Sequence, residues 1–442
     1  MRSHILSCLI LLFLSGILLG QSKISENEMN WTHWRGPFEN GIALGDPPIE
    51  WSESSNIKWK SEIPGVGHAT PIVWEDQMIL LSAIETDKKA ERSGEGEGGA
   101  EWMNPKGTEF IHQFAVISVD KNSGEIQWQK VVREELPSSH THEFGSWASN
   151  SPVSDGLHIY AYFGSHGLYC LNMEGEILWE RDLGRMEKHM SFGEGSSPYL
   201  YQDKLIILRD HQGQSTLHVL KKTTGEPIWE VERDEISSWS TPSVVEFEGR
   251  AQLLTNASNK IRSYDVNTGE LLWECAGMTR NVIPSPLHKE GIVYFMSGFR
   301  GNALLAVDLG KAEGDVTDSE AIVWSYDQNT SYTPNPILMD GKLYFLKTNN
   351  GYLTCLDASD GTEYYSSQKL EGIKNIFTSP LGVNNRIYIV GTNGLTCVVK
   401  QGEEFEVLSQ NTLDDEFLAS PLVLGDDLYL RGVKALYCIS KE

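Results

Sequence analysis

The stretch Ser118-Val119-Asp120-Lys121-Asn122-Ser123-Gly124-Glu125-Ile126-Gln127-Trp128 decides the fold, because its spacing returns along the chain. An Asp precedes a Gly by four residues, and an aromatic residue follows that Gly by another four. The Asp can hydrogen-bond to its own turn and the Gly can adopt a positive φ, so the pattern predicts a tight hairpin. The full spacing recurs at Asp265–Trp273 and Asp357–Tyr365, and the Gly-to-Trp step recurs at Gly175–Trp179 and Gly225–Trp229.

A second repeated feature, a small polar residue followed by proline, marks the start of each unit. The pairs are Thr70-Pro71, Ser151-Pro152, Ser197-Pro198, Thr241-Pro242, Ser285-Pro286, Asn335-Pro336, Ser379-Pro380 and Ser420-Pro421. After a first interval of 81 residues, the intervals are 41 to 50 residues. Each pair precedes a short apolar run, a turn of Asp, Asn or Gly, and a second β-type run. Four strands in every unit of this length predict a β-propeller.

The number of units predicts eight blades. Seven units end in a fourth strand, whose closing positions are Trp128, Trp179, Trp229, Trp273, Trp324, Tyr365 and about Val407. The eighth unit runs from Ser420 to Ile439 and ends after three strands. The segment Asn56-Ile57-Lys58-Trp59 supplies the missing strand, so we predict an all-β, eight-bladed β-propeller whose last blade is closed by the N-terminal strand. Such closure removes exposed sheet edges.

The N-terminus predicts an exported chain. A single positive charge precedes an apolar run from Ile5 to Leu19, which is typical of a secretory signal. We predict a signal peptide over residues 1–20, with an uncleaved anchor as the alternative, an N-terminal extension over 21–50 and the propeller over 51–442. The sequence has no second apolar run of 18 residues and no lipobox cysteine. We therefore expect a monomer, in the periplasm or secreted, with no membrane span after signal removal.

Charge and cysteine content narrow the possible partners and cross-links. Lys and Arg total 36 against 61 Asp and Glu, and the net charge of −25 excludes a nucleic-acid partner, because phosphate binding needs a positive surface. Cys170, Cys355, Cys397 and Cys438 align in the third strand of their units. Other units place small residues there, so we predict that these cysteines pack between blades and form no disulfides.

The repeat resembles a known family. The pattern Ser118–Trp128 is similar to the tryptophan-docking motif of the pyrroloquinoline-quinone (PQQ) propeller repeat, and the resemblance covers about residues 31–440. The stretch Trp31-Thr32-His33-Trp34-Arg35-Gly36-Pro37 also resembles the start of exported PQQ-like propellers of planctomycete-type bacteria. The resemblance implies aromatic residues that dock one blade on the next, here Trp59, Trp128, Trp179, Trp229, Trp273, Trp324 and Tyr365.

The same resemblance leaves the function open, since the family includes quinoprotein dehydrogenases and the propeller subunit of the outer-membrane β-barrel assembly machinery. Such dehydrogenases carry an adjacent Cys-Cys pair over the quinone and a Ca²⁺ held by Glu, Asn and Asp. This sequence has no adjacent Cys pair and no Cys-x-x-Cys-His haem motif. We therefore favour a non-catalytic binding or scaffolding module and predict no cofactor firmly. The alternatives are a PQQ-dependent, Ca²⁺-assisted alcohol or sugar dehydrogenase and a carbohydrate-binding propeller.

Propeller geometry predicts which face carries a binding site. The tight hairpins share one face, and the longer connections share the other, where loops on a rigid scaffold commonly carry function. We expect a protein or glycan partner at this long-loop face. The ligand-binding candidates there are His68, His142, His189, His211, Trp239, Arg280, Arg300 and Tyr332.

Each of these candidates has a structural alternative. The histidines could cap strand ends, the arginines could offset local acidic charge, and Trp239 could fill space. His140-Thr141-His142-Glu143 places two imidazoles on one side of an extended segment, but two ligands alone do not make a metal site, and none is predicted. Residues 85–110 are acidic and glycine-rich, so we expect a flexible insertion. The sequence contains no nucleophile elbow, phosphate-binding loop or zinc helix.

Overall fold

Eight four-stranded units, hydrogen-bonded as antiparallel sheets, form a ring in the computed structural model, which describes residues 30–90 and 107–441. This arrangement confirms the predicted all-β, eight-bladed propeller. The strands of blades 1 and 2 are Ile72–Trp74, Gln77–Lys89, Phe110–Asp120 and Ile126–Glu135, then Val153–Ser154, His158–Tyr162, Leu168–Asn172 and Ile177–Arg181. The strands of blades 3 and 4 are Tyr199–Tyr201, Lys204–Arg209, Ser215–Lys221 and Pro227–Arg233, then Ser243–Phe247, Arg250–Thr255, Ile261–Asp265 and Leu271–Cys275.

The second half of the ring repeats this arrangement. The strands of blades 5 and 6 are Leu287–Lys289, Ile292–Ser297, Ala303–Asp308 and Ile322–Tyr326, then Ile337–Met339, Lys342–Leu346, Tyr352–Asp357 and Glu363–Lys369. Those of blades 7 and 8 are Leu381–Val383, Arg386–Val390, Leu395–Lys400 and Val407–Thr412, then Leu422–Leu424, Asp427–Arg431, Leu436–Ile439 and Ile57–Ser61. Short 3-10 turns lie at Gly164–His166 and His189–Ser191, and no helix within the described ranges is long and apolar enough to cross a membrane.

The last blade is closed by the N-terminal strand, as the sequence predicts. Ile57–Ser61 pairs antiparallel with Leu436–Ile439, and Trp59 lies opposite Cys438. The last three strands of the chain thus obtain their fourth from a segment about 375 residues earlier, which leaves no gap in the ring.

Docking tryptophans join neighbouring blades at the outer strands. The indole N–H donates to a backbone carbonyl of the next blade at 3.0 to 3.1 Å from Trp59, Trp128, Trp179, Trp229 and Trp324. Each ring also covers the hairpin glycine of that blade. At Gly175, for example, φ is +85° and an added Cβ would lie 2.9 Å from the Trp128 ring. The glycine of the motif therefore serves both its own turn and the contact between blades.

Trp273 and Tyr365 depart from this docking pattern. The Trp273 indole donates to Gln252 Oε1 of its own blade at 3.0 Å, and a fifth strand, Gly314–Asp315, pairs with the strand that carries Trp273. The inserted segment that carries this strand replaces the tight hairpin on which an indole would dock. Tyr365 has no indole N–H, and its buried hydroxyl has no hydrogen-bond partner among the described residues. Its ring packs against Phe405, with 5.7 Å between the ring centroids.

A second set of contacts joins the blades around the central channel. The residues before the eight prolines, here called the ring residues, are Thr70, Ser151, Ser197, Thr241, Ser285, Asn335, Ser379 and Ser420. The backbone N–H of all but Thr70 donates to the side-chain oxygen of the next member, and Ser420 donates to Thr70, at N···O distances of 2.6 to 3.2 Å. These side chains are structural acceptors between blades.

The N-terminal segment, residues 31–46, crosses the channel before the first blade. Trp31 exchanges two backbone hydrogen bonds of 2.8 Å with Val73 of blade 1, and the segment then contacts blades 2 and 3. Arg35 reaches blades 6 and 7, where Ile42–Ala43 pairs parallel with Leu381–Val383. Most of these contacts are made at the ends of first strands that adjoin the tight hairpins. The segment therefore closes the hairpin end of the channel.

Two further predictions about chain organisation concern the signal peptide and the insertion at residues 85–110. Predicted residues 1–20 of the signal peptide lie outside the described residues, as do residues 91–106. The flexible insertion expected over residues 85–110 is not found at residues 85–89 and 110, because two neighbouring strands extend there and Lys89 pairs with Phe110.

The cysteines behave as the sequence predicts. The five described cysteines are free and buried, four of them in third strands. Burial raises the pKa of Cys170, Cys355 and Cys438 to about 12, so these thiols stay protonated at neutral pH. Their role is packing.

The docking contact leads to a test with two alanine substitutions. Gly175 and Gly184 both have a φ of +85°, but an added Cβ at Gly184 has nothing within 4 Å. Gly184→Ala should cost about 1 kcal/mol from backbone strain, and Gly175→Ala about 2 kcal/mol more, because its Cβ collides with Trp128. Urea unfolding monitored by tryptophan fluorescence measures both. Equal losses would show that the indole does not constrain the hairpin.

Candidate functional site

A cavity of about 510 Å³ occupies the mouth of the channel on the long-loop face. This volume lies within the range of small-molecule sites, roughly 300–1,000 Å³. The floor includes Trp34 of the N-terminal segment, and all ring residues except Ser285 contribute to the lining. The N-terminal segment thus converts an open channel into a cavity with a single mouth.

Arg35 holds this floor in place. Its guanidinium is buried and donates to the carbonyl oxygens of Asn40, Pro336 and Pro380 at 3.0 to 3.1 Å. The guanidinium also lies 5.5 Å from the centroid of the Trp34 ring. Burial lowers the pKa of Arg35 to about 9, so at neutral pH it is a buried cation held by carbonyl dipoles. These contacts fix Trp34 beneath the cavity.

A simple rule places one lining residue per blade. The residue two positions before each ring residue faces the cavity, because side chains alternate along an extended segment. These eight residues are His68, Ser149, Gly195, Trp239, Ile283, Thr333, Phe377 and Leu418. The rule uses only the small-polar-proline pairs and would have found Ile283, Phe377 and Leu418, which the sequence analysis missed. It would not have found Trp34, Phe192 or Asn281.

The structure brings seven of the eight predicted ligand-binding candidates to this cavity. They are His68, His142, His189, Trp239, Arg280, Arg300 and Tyr332. That they bind a ligand stays a prediction.

His211 does not reach the cavity. It is 7% exposed, and its Nδ1 accepts the backbone N–H groups of Gly213 and Glu187 at 3.1 and 3.2 Å. His211 therefore holds two loops together, a structural role other than the expected capping of a strand end, and we remove it from the candidate site.

Several aromatic rings contribute to the cavity wall. Phe299 stacks on Tyr332 with a centroid distance of 4.8 Å, and Phe144 packs against Phe377 with a centroid distance of 4.9 Å. The Trp239 indole donates to Gly193 O at 2.8 Å, which fixes its ring in the wall. Fixed aromatic faces bind flat apolar rings by stacking and edge contacts.

Two of the histidines are held by the same backbone. His68 Nδ1 lies 3.0 Å from Phe144 O, and His142 Nδ1 accepts the Phe144 N–H at 3.2 Å. Within residues 30–90 and 107–441, no three His, Cys, Asp or Glu side chains are grouped closely enough to hold a metal ion.

The cavity lining contains more positively charged than negatively charged side chains. Arg280 and Arg300 lie at the mouth and are exposed, and neither forms an ion pair with another described residue. Glu194 is the only carboxylate among the lining residues that the structure describes. It accepts hydrogen bonds from the backbone N–H and the hydroxyl of Ser165. The unpaired charge of the lining is therefore positive, in a chain with a net charge of −25.

A comparison with protein families gives one match. The family model PQQ_2, described as outer membrane protein assembly factor BamB, matches residues 113–367. No curated protein matches the sequence significantly.

Solved structures resemble the propeller at low sequence identity. BamB from Moraxella catarrhalis is 14% identical, with a TM-score of 0.52, and the match covers 82% of this chain and 98% of that chain. A europium-containing methanol dehydrogenase is 10% identical, with a TM-score of 0.61 and coverage of 92% and 90%. Quinohemoprotein alcohol dehydrogenase from Comamonas testosteroni is 10% identical, with a TM-score of 0.60 and coverage of 95% and 82%. At such identities the likeness shows the fold alone.

The environment of His211 predicts part of the pH dependence of stability. Burial, with Lys188 and Arg209 nearby, lowers the pKa of His211, while Glu187 and the Gln214 backbone oppose this. The unfolded chain therefore binds a proton that the native chain does not, and stability falls as pH drops through about 6.5. His211→Asn keeps an acceptor and removes the titrating group, so its melting temperature should fall less between pH 7.5 and 5.5. An unchanged decrease would contradict this assignment.

Proposed function

The chain belongs to the family described as outer membrane protein assembly factor BamB, and we propose that it is a non-catalytic binding module. The resemblance of its repeat to the PQQ propeller repeat agrees with this family. Its ligand is a small molecule with an apolar ring, held in the cavity at the mouth of the channel. The observation that carries the proposal is the convergence of lining residues from around the ring on one cavity of about 510 Å³ above Trp34.

The lining favours an apolar ring over a sugar. The hydroxyls of the ring residues already accept backbone N–H groups, and Glu194 is occupied by Ser165. A sugar requires several free donors and acceptors to replace its bound water. Aromatic side chains such as Phe299, Tyr332 and Phe377 instead offer surface that is best covered by another ring. Carbohydrate binding is therefore the weaker of the two binding proposals.

The contacts of the lining carboxylate and of the ring residues favour binding over nucleophilic catalysis. A general base needs a free acceptor near the reacting proton, and a nucleophile needs a base beside it. Glu194 is held by two donors from Ser165, and the side chains of the ring residues accept backbone N–H groups between blades. Binding without turnover is the function that these contacts support.

The lining residues do not fit the Ca²⁺ and PQQ centre that the dehydrogenase alternative implies. Ca²⁺ takes six to eight oxygen ligands, several of them carboxylates. Glu194 is the only carboxylate of the lining, and the sequence has no adjacent Cys pair. PQQ without a metal belongs to the flat ligands that the cavity could hold, and we derive no redox step from it.

Two further parts of the proposal concern location and partners. The apolar run Ile5–Leu19 supports export to the periplasm or outside the cell. A protein or glycan partner at the long-loop face stays a prediction, and the same face carries the mouth of the cavity.

The proposal is tested by titration with the neutral fluorophore N-phenyl-1-naphthylamine. The protein should bind about one equivalent, with enhanced fluorescence. Phe299→Ala and Phe377→Ala should each weaken binding about tenfold, because each removes an aromatic contact from the wall. Tyr352→Ala serves as the control, since Tyr352 is an exposed aromatic residue outside the cavity lining. Failure of the native protein to bind the probe, or equal effects of all three substitutions, would contradict the proposal.

A further inference from the structure

We propose that the rim formed by Arg280, Asn281 and Arg300 binds an acidic group of the ligand. The ligand is then an organic anion, in which a carboxylate, sulfonate or phosphate is attached to the apolar ring. This inference rests on the proposed function and names the chemical class of its ligand.

The first observation is the uncompensated charge of the two arginines. Arg280 lies between blades 4 and 5, and Arg300 lies between the second and third strands of blade 5. No described Asp or Glu lies within ion-pairing distance of either guanidinium, whereas Arg233, for example, pairs with Asp210 at 2.8 Å. Two unpaired guanidinium groups at the mouth of one largely apolar cavity attract anions from solution. Guanidinium groups also match the planar, two-oxygen face of an acidic group.

The second observation is a buried donor without an adequate partner. Asn281 lines the cavity and is only 4% exposed, and its Nδ2 makes no hydrogen bond of normal geometry with the described residues. It lies beside the Tyr332 hydroxyl, which can accept at most one of its two N–H groups. Buried amide groups are nearly always hydrogen-bonded. An oxygen of the ligand at this rim would supply the missing acceptor.

The loops that carry these three residues are held against each other. The Thr279 N–H donates to Ser297 Oγ at 2.8 Å, and an added Cβ at Gly301 would lie 2.9 Å from Thr279. The Thr330 N–H donates to Asn302 Oδ1 at 3.0 Å, which fixes the far side of the second loop. Loops ordered before binding lose less entropy when a ligand arrives, so the rim is suited to recognition.

The rim also adjoins the surface that would hold the ring of the ligand. The Arg300 guanidinium lies 5.3 Å from the centroid of the Phe299 ring, which in turn stacks on Tyr332. An acid attached directly to a ring can therefore meet both surfaces at once. Glu194, the one carboxylate among the described lining residues, directs both oxygens to hydrogen bonds with Ser165. The two guanidinium groups outnumber it, so the net charge of these residues favours an anion.

The test uses two probes that share one ring system. The sulfonate of 1-anilinonaphthalene-8-sulfonate is absent from N-phenyl-1-naphthylamine, so their affinities isolate the acidic group. The native protein should bind the sulfonate about tenfold more tightly, and only the sulfonate should bind less tightly as salt is raised. Arg280→Gln with Arg300→Gln should remove that preference, so that the sulfonate binds about as tightly as the neutral probe. Asn281→Leu should weaken sulfonate binding about threefold.

A matched control and three outcomes complete the test. Arg185→Gln changes an exposed arginine outside the lining and should leave both affinities unchanged. Equal affinity of the native protein for both probes would overturn the acidic-group inference while leaving the proposed function intact. The same would follow if the double variant weakened both probes equally. Failure of both probes to bind would instead overturn the proposed function, and the inference with it.

Discussion

The set of hydrogen bonds that joins the ring residues is the constraint on which the rest of the structure depends. Seven such bonds run around the channel, each from a backbone N–H to the side chain of the equivalent residue in the neighbouring blade. They fix the backbone at the start of every blade. Because side chains alternate along this backbone, the residue two positions earlier must face the channel. The hydrogen bonds between the ring residues therefore determine which sequence positions face the cavity.

The channel becomes a binding cavity because the N-terminal segment blocks its other end. Arg35 is buried there without a carboxylate, and such a cation is costly unless its donors are satisfied. Three carbonyl oxygens accept from its two terminal nitrogens, and two of these oxygens belong to blades 6 and 7. This segment supplies Trp34 to the floor, and the chain then continues to the strand Ile57–Ser61 of blade 8. The N-terminal part of the chain therefore both closes the ring of blades and forms the floor of the cavity.

Features of the fold that arise from local sequence could be predicted, whereas features that depend on contacts between distant parts of the chain could not. The hairpin spacing indicated eight blades and the closing strand, because each motif forms its own turn. The docking contact predicted for Trp273 was wrong, because an inserted segment replaces the hairpin that the indole would contact. Seven candidates line the cavity because they flank strand ends on one face, whereas His211 turns into a loop contact. No periodic pattern marks Trp34 or Asn281, whose positions depend on tertiary contacts.

A crystal structure of the protein grown with a brominated naphthoic acid tests the central claim most directly, because anomalous scattering locates the bromine independently of the model. The account predicts one strong peak inside the cavity, with the ring against Phe299 and Tyr332 and the carboxylate at Arg280 and Arg300. Bromine found only at other sites, with density in the cavity explained by water, would contradict it.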